Sequence, residues 1–263
     1  MAGKKVWVTW LPEKENEAEL QQTLQQLQMV GLEVSGAPWI DDLEKCVWTE
    51  LAEMLSAEDG PELWLIAGRT QDFNNQRIRY GLSLLLASLS QSKQPAKIFS
   101  QCIDGALPTL PTLCQHFTPL DAAAGWNAKV VAAAYISAPQ VVEPDYYLTV
   151  IAHSAIGQWF EVGPNTNDAP WAGAMFGIIE GDAKITFQAV GERGQLPEKS
   201  VNKFPSMGIK AEIGGDEFVA CALQNDITGG QSYYVKITGF PSKIFFAGHP
   251  GSDQAEVQVI TLS

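Results

Sequence analysis

Three of the four arginines in this sequence lie close together, where a strand-like run passes into a helix-like run. Arg69 directly follows the apolar segment WLIAG, and Arg77 and Arg79 open the segment QRIRYGLSLLL after the predicted loop TQDFNN. A guanidinium group donates paired hydrogen bonds to carboxylates and phosphates. The amino end of a helix also favours anions, through its unpaired N–H groups and its dipole. The spacing therefore indicates a site for a phosphate or for the carboxylate of a partner.

The same arginines could instead be neutralised by acidic side chains of the protein itself. Cations near the amino end of a helix are unfavourable there, so each of them needs a compensating anion. Neighbouring predicted loops carry four acidic residues that could supply one: Asp41, Asp42, Asp59 and Glu62. The sequence is compatible with both structural ion pairs and an anion-binding site.

The segment WIDDLE places Asp41, Asp42 and Glu44 within four residues. Paired carboxylates can bind Mg²⁺ together with a phosphate, but magnesium sites generally recruit more oxygen ligands than this segment offers. The segment DDLEKCVWTELAEML predicts a helix that begins at Asp41, and acidic residues in the first turn of a helix are stabilised by the helix dipole without any ligand. We therefore count Asp41 and Asp42 among the candidate ligand-binding residues and expect no metal at this segment.

A second group of candidate residues lies in the segments GQWFEVGP and APWAGAMFG, which contain Trp159, Glu161 and Trp171. Aromatic side chains flanked by glycines can form a concave site for a ligand. Aromatic residues that alternate with small ones are also what the core of a β-sandwich requires. The two segments thus predict either a ligand site or the core of an antiparallel domain.

The sequence lacks the patterns that mark known catalytic and metal sites. Its histidines are far apart and none has a zinc-binding spacing: His116, His153 and His249. Nucleophile-elbow, P-loop and dinucleotide-binding patterns are absent. The four cysteines form no Cys-x-x-Cys pair and are expected to be free, buried thiols. We therefore expect neither a metal nor a cofactor.

The charge of the chain bears on its partners and its compartment. It carries 17 Lys and Arg against 30 Asp and Glu, a formal net charge of −13, and both halves are acidic. Such a surface repels nucleic acid and anionic lipid, so we expect neither as a partner. No run of about 18 apolar residues could span a membrane, and the first ten residues resemble a strand more than a secretion signal. These features favour a cytoplasmic protein.

The pattern of apolar residues divides the chain into two regions. Residues 1–138 alternate strand-like and helix-like segments, which predicts a parallel sheet with helices on both faces. Its five strands suit the flavodoxin-like order 2-1-3-4-5. Residues 139–144 carry two prolines and form a predicted linker. Residues 145–263 contain eight or nine short alternating runs separated by turns, which predict an antiparallel β-sandwich or barrel.

Residues 1–136 resemble a Toll/interleukin-1 receptor (TIR) domain. The opening VWVTW resembles the first strand of that family, and GLEVSGAPWIDD resembles its second strand and the acidic loop after it. The segment WTELAEMLSAEDGPELWLIAG fits the next helix and strand, and NQRIRYGL stands where the family often has Ser-x-Trp-Cys-x-x-Glu-Leu. Nucleoside deoxyribosyltransferase-like folds, with a similar sheet, fit the same order of elements.

The resemblance implies a particular chemistry and also a departure from it. TIR domains that cleave NAD use a Glu at the start of this helix, where a carboxylate can stabilise the developing positive charge of the ribose. The alignment puts Gly81 at that position, and the nearest acid in the stretch is Asp72. The catalytic residue of the family is therefore not carried over to this chain.

These observations favour a non-catalytic interaction or ligand-sensing protein, with a protein or a phosphate-bearing small molecule as its partner. Two alternatives remain open. One is a nucleotide-processing enzyme that cleaves an N-glycosidic bond, either in NAD or in a deoxynucleoside. The other is a carbohydrate- or peptide-binding module in the β domain.

Overall fold

The computed structural model describes residues 3–11, 17–90, 95, 97–121, 125–136, 144–199, 201–248 and 256–263. The chain divides into two compact units, one formed by Met1–Leu43 and Val47–Val141 and the other by Glu44–Cys46 and Val142–Ser263. The predicted linker lies outside the described residues, apart from Pro144. The predicted boundaries at residues 138 and 145 stay predictions.

The first unit contains a five-stranded parallel sheet in the order β2-β1-β3-β4-β5, which confirms the predicted flavodoxin-like arrangement. Its central strands are runs of β-branched, aromatic and aliphatic residues, and every residue of β3 is buried. Such strands suit a parallel sheet that is covered on both faces. The strands are β1 (Lys5–Trp10), β2 (Glu33–Pro38), β3 (Leu63–Gly68), β4 (Lys97–Cys102) and β5 (Thr118–Leu120).

Helices lie on both faces of this sheet. They are α1 (Glu17–Gln28), α2 (Trp48–Ser56), α3 (Thr70–Asn74), α4 (Gln76–Leu89) and α5 (Trp126–Ala134), and a short 3₁₀ turn covers Thr112–Cys114. Helices α1 and α5 pack on the face of β1 that carries Val6 and Val8. Helix α2 lies beside the opposite face, where Met54 of α2 and Trp7 of β1 line the same cavity. None of the helices in the described ranges is both long and apolar enough to cross a membrane.

Two local predictions for this unit were wrong. The segment after β2 was expected to begin its helix at Asp41, but α2 begins at Trp48. Cys46 has a φ of 56°, in the left-handed region that ends a right-handed helical path. The acidic residues of this segment therefore lie in turns before the helix. The segment TQDFNN was expected to be a loop, but α3 forms there because the Asp72 carboxylate accepts a 2.7 Å hydrogen bond from the Arg69 N–H.

The second unit consists of two antiparallel sheets. Strands β6-β7-β12-β9 form a four-stranded sheet, and β10-β11-β8-β13-β14 form a five-stranded sheet. The strands are β6 (Tyr146–His153), β7 (Gly157–Pro164), β8 (Ala174–Ile178), β9 (Lys184–Glu192), β10 (Ser206–Ile213), β11 (Asp216–Leu223), β12 (Gln231–Thr238), β13 (Lys243–Gly248) and β14 (Val257–Thr261). These nine strands agree with the predicted number.

The two sheets face each other, so the second unit is a sandwich and not a closed barrel. Phe160 of β7 and Phe176 of β8 lie across the interface, with ring centroids 5.6 Å apart. At one end, the hydroxyl of Tyr233 and the thiol of Cys221 lie 3.0 Å apart across the same interface. The predicted combination of a parallel α/β unit and an antiparallel sandwich is confirmed. Strand β8 was missed in the sequence, because its segment was interpreted only as an aromatic cluster.

Candidate functional site

The position at which the TIR resemblance calls for a glutamate is filled by an indole ring. Gly81 lies in the first half of α4 and is buried. A Cβ at Gly81 would lie 2.6 Å from Cζ2 of Trp39 and 3.1 Å from a methyl carbon of Leu43. Trp39 is 6% exposed, and its backbone N–H bonds to the carbonyl oxygen of Trp10 at the end of β1. A longer side chain at Gly81 has no room unless this indole moves.

The crevice between the carboxyl ends of β1 and β3 is the place where folds of this order bind ligands. In this protein Leu11 lies against Gly68 there, because a Cβ at Gly68 would be 2.9 Å from Cβ of Leu11. Leu11 is buried, and its N–H donates to the carbonyl oxygen of Ala67. The switch point of the sheet is therefore closed by an apolar side chain at the positions that the structure describes.

The three arginines of the sequence-predicted anion site bond to three different sets of protein groups. Arg69 pairs with the carboxylate of Glu19 at 3.3 Å. Arg77 pairs through Nε with Oδ2 of Asp41 at 3.2 Å. Arg79 donates from Nη1 to two backbone carbonyl oxygens, those of Phe73 at 3.1 Å and Thr109 at 2.8 Å. Each guanidinium group has a protein acceptor, and this is the arrangement expected for structural pairing.

Two of the predicted acidic residues differ in their surroundings. Asp41 bonds to Arg77 through Oδ2, whereas its Oδ1 is buried and has no hydrogen-bond partner among the described residues. Asp42 has a backbone role, because its carbonyl oxygen accepts the N–H of Val47 at the start of α2. The Arg77–Asp41 pair is one of the pairings that the sequence suggested, and the Arg69–Glu19 pair is not.

A polar cluster that the sequence analysis missed lies at the carboxyl ends of β3 and β4. Asp104 accepts the backbone N–H of Thr70 at 2.8 Å and its hydroxyl at 3.0 Å. The thiol of Cys102 donates to the same carboxylate oxygen at 3.3 Å. The backbone hydrogen bond from Thr70 lowers the pKa of Asp104, which is exposed. These bonds anchor the start of α3 to the loop after β4.

The structure separates the aromatic candidates of the second unit. Trp159 lies on the outer face of the four-stranded sheet, where its ring meets Phe187 edge-on at 5.7 Å and lies below Nζ of Lys236. Trp171 covers Gly248 at the end of β13, where a Cβ would be 2.4 Å from its ring. The aromatic rings between the sheets fill the sandwich core. The aromatic residues that were predicted to form one concave site therefore lie in different places, some in the sandwich core and others on the outer face of a sheet.

Glu161 is the most buried carboxylate of the described residues, at 1% exposure, and it lies on the same outer face. Its Oε1 accepts hydrogen bonds from the hydroxyl of Ser232 at 2.6 Å and from the N–H of Gly194 at 2.7 Å. The hydroxyl of Tyr234 lies 3.0 Å from Oε1 and 2.5 Å from the carbonyl oxygen of Glu192, so its single proton bonds to one of them at a time. This carboxylate fastens the turn after β9 onto the sheet.

The same cluster continues toward the edge strand β6. The hydroxyl of Tyr147 bonds to that of Ser232, and the guanidinium of Arg193 lies 3.7 Å above the Tyr147 ring. Burial raises the pKa of Tyr147 to about 12, so its hydroxyl is a proton donor at neutral pH. Because these groups satisfy one another, the cluster is suited to holding the loop in place. Its donors come from β12 and from the turn after β9, far from Glu161 in sequence, and no short motif signals them.

Comparison with known proteins adds no family to this description: no protein-family model matches the sequence, and no curated protein matches it.

Proposed function

We propose that this chain is a non-catalytic interaction or ligand-sensing protein, built on a TIR-like α/β unit and a β-sandwich. The observation that carries the proposal is the packing of Trp39 onto Gly81. Cleavage of an N-glycosidic bond needs a carboxylate beside the ribose, and it needs space for the nucleotide. The described residues offer neither at this position.

The nearby acidic groups support the same proposal. Asp41 is held by Arg77, and Glu19 is held by Arg69. Glu161 is enclosed by hydrogen-bond donors on a different unit of the chain. A catalytic carboxylate must contact its substrate, and each of these groups is bonded to the protein through at least one oxygen.

A second candidate function is carbohydrate or peptide binding by the sandwich. Phe187 is 44% exposed on the open face of the four-stranded sheet, and the ring of Trp159 lies beside it. Exposed aromatic rings on a sheet can stack on the apolar face of a sugar or on a peptide side chain.

Incubation of the purified chain with NAD and with deoxynucleosides, followed by mass spectrometry, tests the proposal. We expect every substrate to be recovered intact. Release of nicotinamide or of a free base would favour the N-glycosidase alternative. Weakening of binding to immobilised glycans by Phe187→Ala would favour the carbohydrate-binding module.

A further inference from the structure

Strand β2 is an edge of the parallel sheet. It pairs with β1 alone among the described residues. The N–H groups of Glu33 and Trp39 bond to carbonyl oxygens of the β1 segment, at 3.0 and 2.6 Å. Because successive peptide groups of a strand point to opposite sides, the N–H and C=O groups of Val34 and Gly36 point away from β1. An edge of this kind can accept another strand.

Helix α2 runs beside this edge and leaves a groove. One cavity of about 360 Å³ lies between the amino-terminal half of β2 and the end of α2, with Trp7 and Met54 in its lining. A second cavity, of about 140 Å³, lies beside Ala37 and the start of α2. The residues of α2 and its two caps that line the cavities recur at helical spacing on one face, except Trp48: Val47, Trp48, Glu50, Leu51, Met54 and Ala57. Both cavities lie between β2 and the α2 segment, and together they are called the groove between α2 and β2.

Three tryptophans line this groove, and the Nε1 atom of each is buried. Trp7 lines the larger cavity, and Trp39 and Trp48 line the smaller one. None of their Nε1 atoms has a hydrogen-bond acceptor within the part of the chain that the structure describes. Trp39 and Trp48 are 6% and 3% exposed. These Nε1 atoms are shielded from the groove, as is that of Trp10 outside it, so the three indoles contribute apolar ring surface to the lining.

The charges of the groove indicate the chemistry of the occupant. Its lining carries three carboxylates and one ammonium group: Glu33, Glu50, Asp59 and Lys5. The Lys5 ammonium donates to the carbonyl oxygen of Asp59 at 2.8 Å. The groove is therefore acidic at its rim and apolar at its floor. A basic, apolar segment complements both properties.

We propose that the groove between β2 and α2 binds an extended peptide of a partner protein, in which basic residues alternate with apolar ones. The peptide adds a strand to β2 through Val34 and Gly36, and alternate side chains enter the two cavities. This inference rests on the proposed interaction function, and it names the partner's chemistry and the surface that the partner uses.

An array of peptides tests this proposal. Each peptide has about eight residues, enough to span β2, with Lys or Arg alternating with Val, Ile or Leu. Binding to the full chain is measured by fluorescence anisotropy. We expect a subset of the array to bind, and we expect N-methylation of alternate peptide amides to abolish that binding. Hydrogen exchange at the Val34 and Gly36 amides should slow in the complex.

Variants separate the groove from the rest of the chain. Met54→Lys places a cation in the groove and should weaken binding at least about tenfold, or 1.4 kcal/mol. Met207→Lys, on β10 of the sandwich, is the matched control and should leave binding unchanged. If Met54→Lys lowers the melting temperature of the protein, Ala57→Lys serves as the second groove variant.

Two results would overturn the groove proposal. One is the failure of every peptide in the array to bind at roughly millimolar concentration, which is the weak end of measurable affinity. The other is binding that persists unchanged in the groove variants and after N-methylation. That second result would place the peptide elsewhere and leave the proposed interaction function standing. Release of nicotinamide from NAD would contradict the proposed non-catalytic function, but it would not contradict peptide binding in the groove.

Discussion

The indole of Trp39 lies directly against the backbone of Gly81, so that a Cβ at position 81 would be 2.6 Å from its Cζ2 atom. This contact joins the loop after β2 to helix α4. Glycine is unfavourable inside a helix, by about 1 kcal/mol relative to alanine. Its presence here is explained by the space that the indole occupies.

The first prediction concerns this contact. Gly81→Ala should lower the free energy of unfolding by up to about 2 kcal/mol, because an overpacking cost of about 1–3 kcal/mol is offset by a gain in helix propensity of about 1 kcal/mol. Urea unfolding measures the difference. Gly230→Ala is the control, since a Cβ at Gly230 would have nothing within 4 Å. A Gly81→Ala protein at least as stable as wild type would show that the indole moves aside at little cost.

The second prediction ranks the arginines. Arg79→Ala should cost about 1.5–3 kcal/mol, because charged donors to two carbonyl oxygens are lost at a site where burial lowers the pKa of Arg79. Arg69→Ala should cost less than about 1 kcal/mol, because its pair with Glu19 is partly exposed. Thermal melting with and without phosphate-bearing nucleotides measures both effects. If nucleotides raise the melting temperature of wild type but not of Arg77→Ala, the arginines form an anion site after all.

The third prediction concerns Glu161. Glu161→Gln should cost about 1–3 kcal/mol, since an amide forms weaker hydrogen bonds with Ser232 and the Gly194 N–H than a carboxylate does. Amide exchange at Gly194 and Gln195 should become faster, because the turn loses its anchor. Glu180→Gln, at an exposed position, serves as the control. Unchanged exchange at both amides would show that other contacts hold the turn.

The fourth prediction concerns alkaline pH. Burial raises the pKa of the Cys114 thiol from its ordinary value of 9.0 to about 12. Above pH 9 the unfolded chain releases this proton while the folded chain keeps it, so stability falls as pH rises toward 12. The slope is about 1.4 kcal/mol per pH unit for one retained proton. Cys114→Ala should remove that part of the slope in urea unfolding between pH 8 and 11. Identical slopes for the variant and wild type would exclude this contribution.

Much of the first unit could be predicted from the sequence, because its strands are short apolar runs and its two longest helices, α1 and α4, are periodic. The sequence also predicts a helix cap at Asn74 or Asn75, and the Asn75 side chain accepts the N–H groups of Arg77 and Ile78. The start of α2 could not be predicted, because no residue type in this segment indicates that Cys46 adopts a left-handed backbone conformation. Local preference there is overridden by the surrounding structure.

The candidate sites were harder to predict, because they depend on contacts between distant segments. The arginines were correctly placed at a strand-to-helix junction, but their acceptors include backbone carbonyl oxygens that no residue pattern reveals. The contact between Trp39 and Gly81 joins residues that are far apart in the chain. The hydrogen-bond donors around Glu161 also come from segments that are far from it in the chain. Spacing rules describe neighbours along the chain and do not predict such contacts.

The rate of nicotinamide release from NAD by the purified chain tests the central claim most directly. It should be measured by liquid chromatography over a long incubation, for wild type and for Asp41→Asn, which alters the acid bonded to α4 through Arg77. We predict that neither protein releases nicotinamide faster than buffer does. Release by wild type would contradict the account, and its loss in Asp41→Asn would identify Asp41 as the working carboxylate.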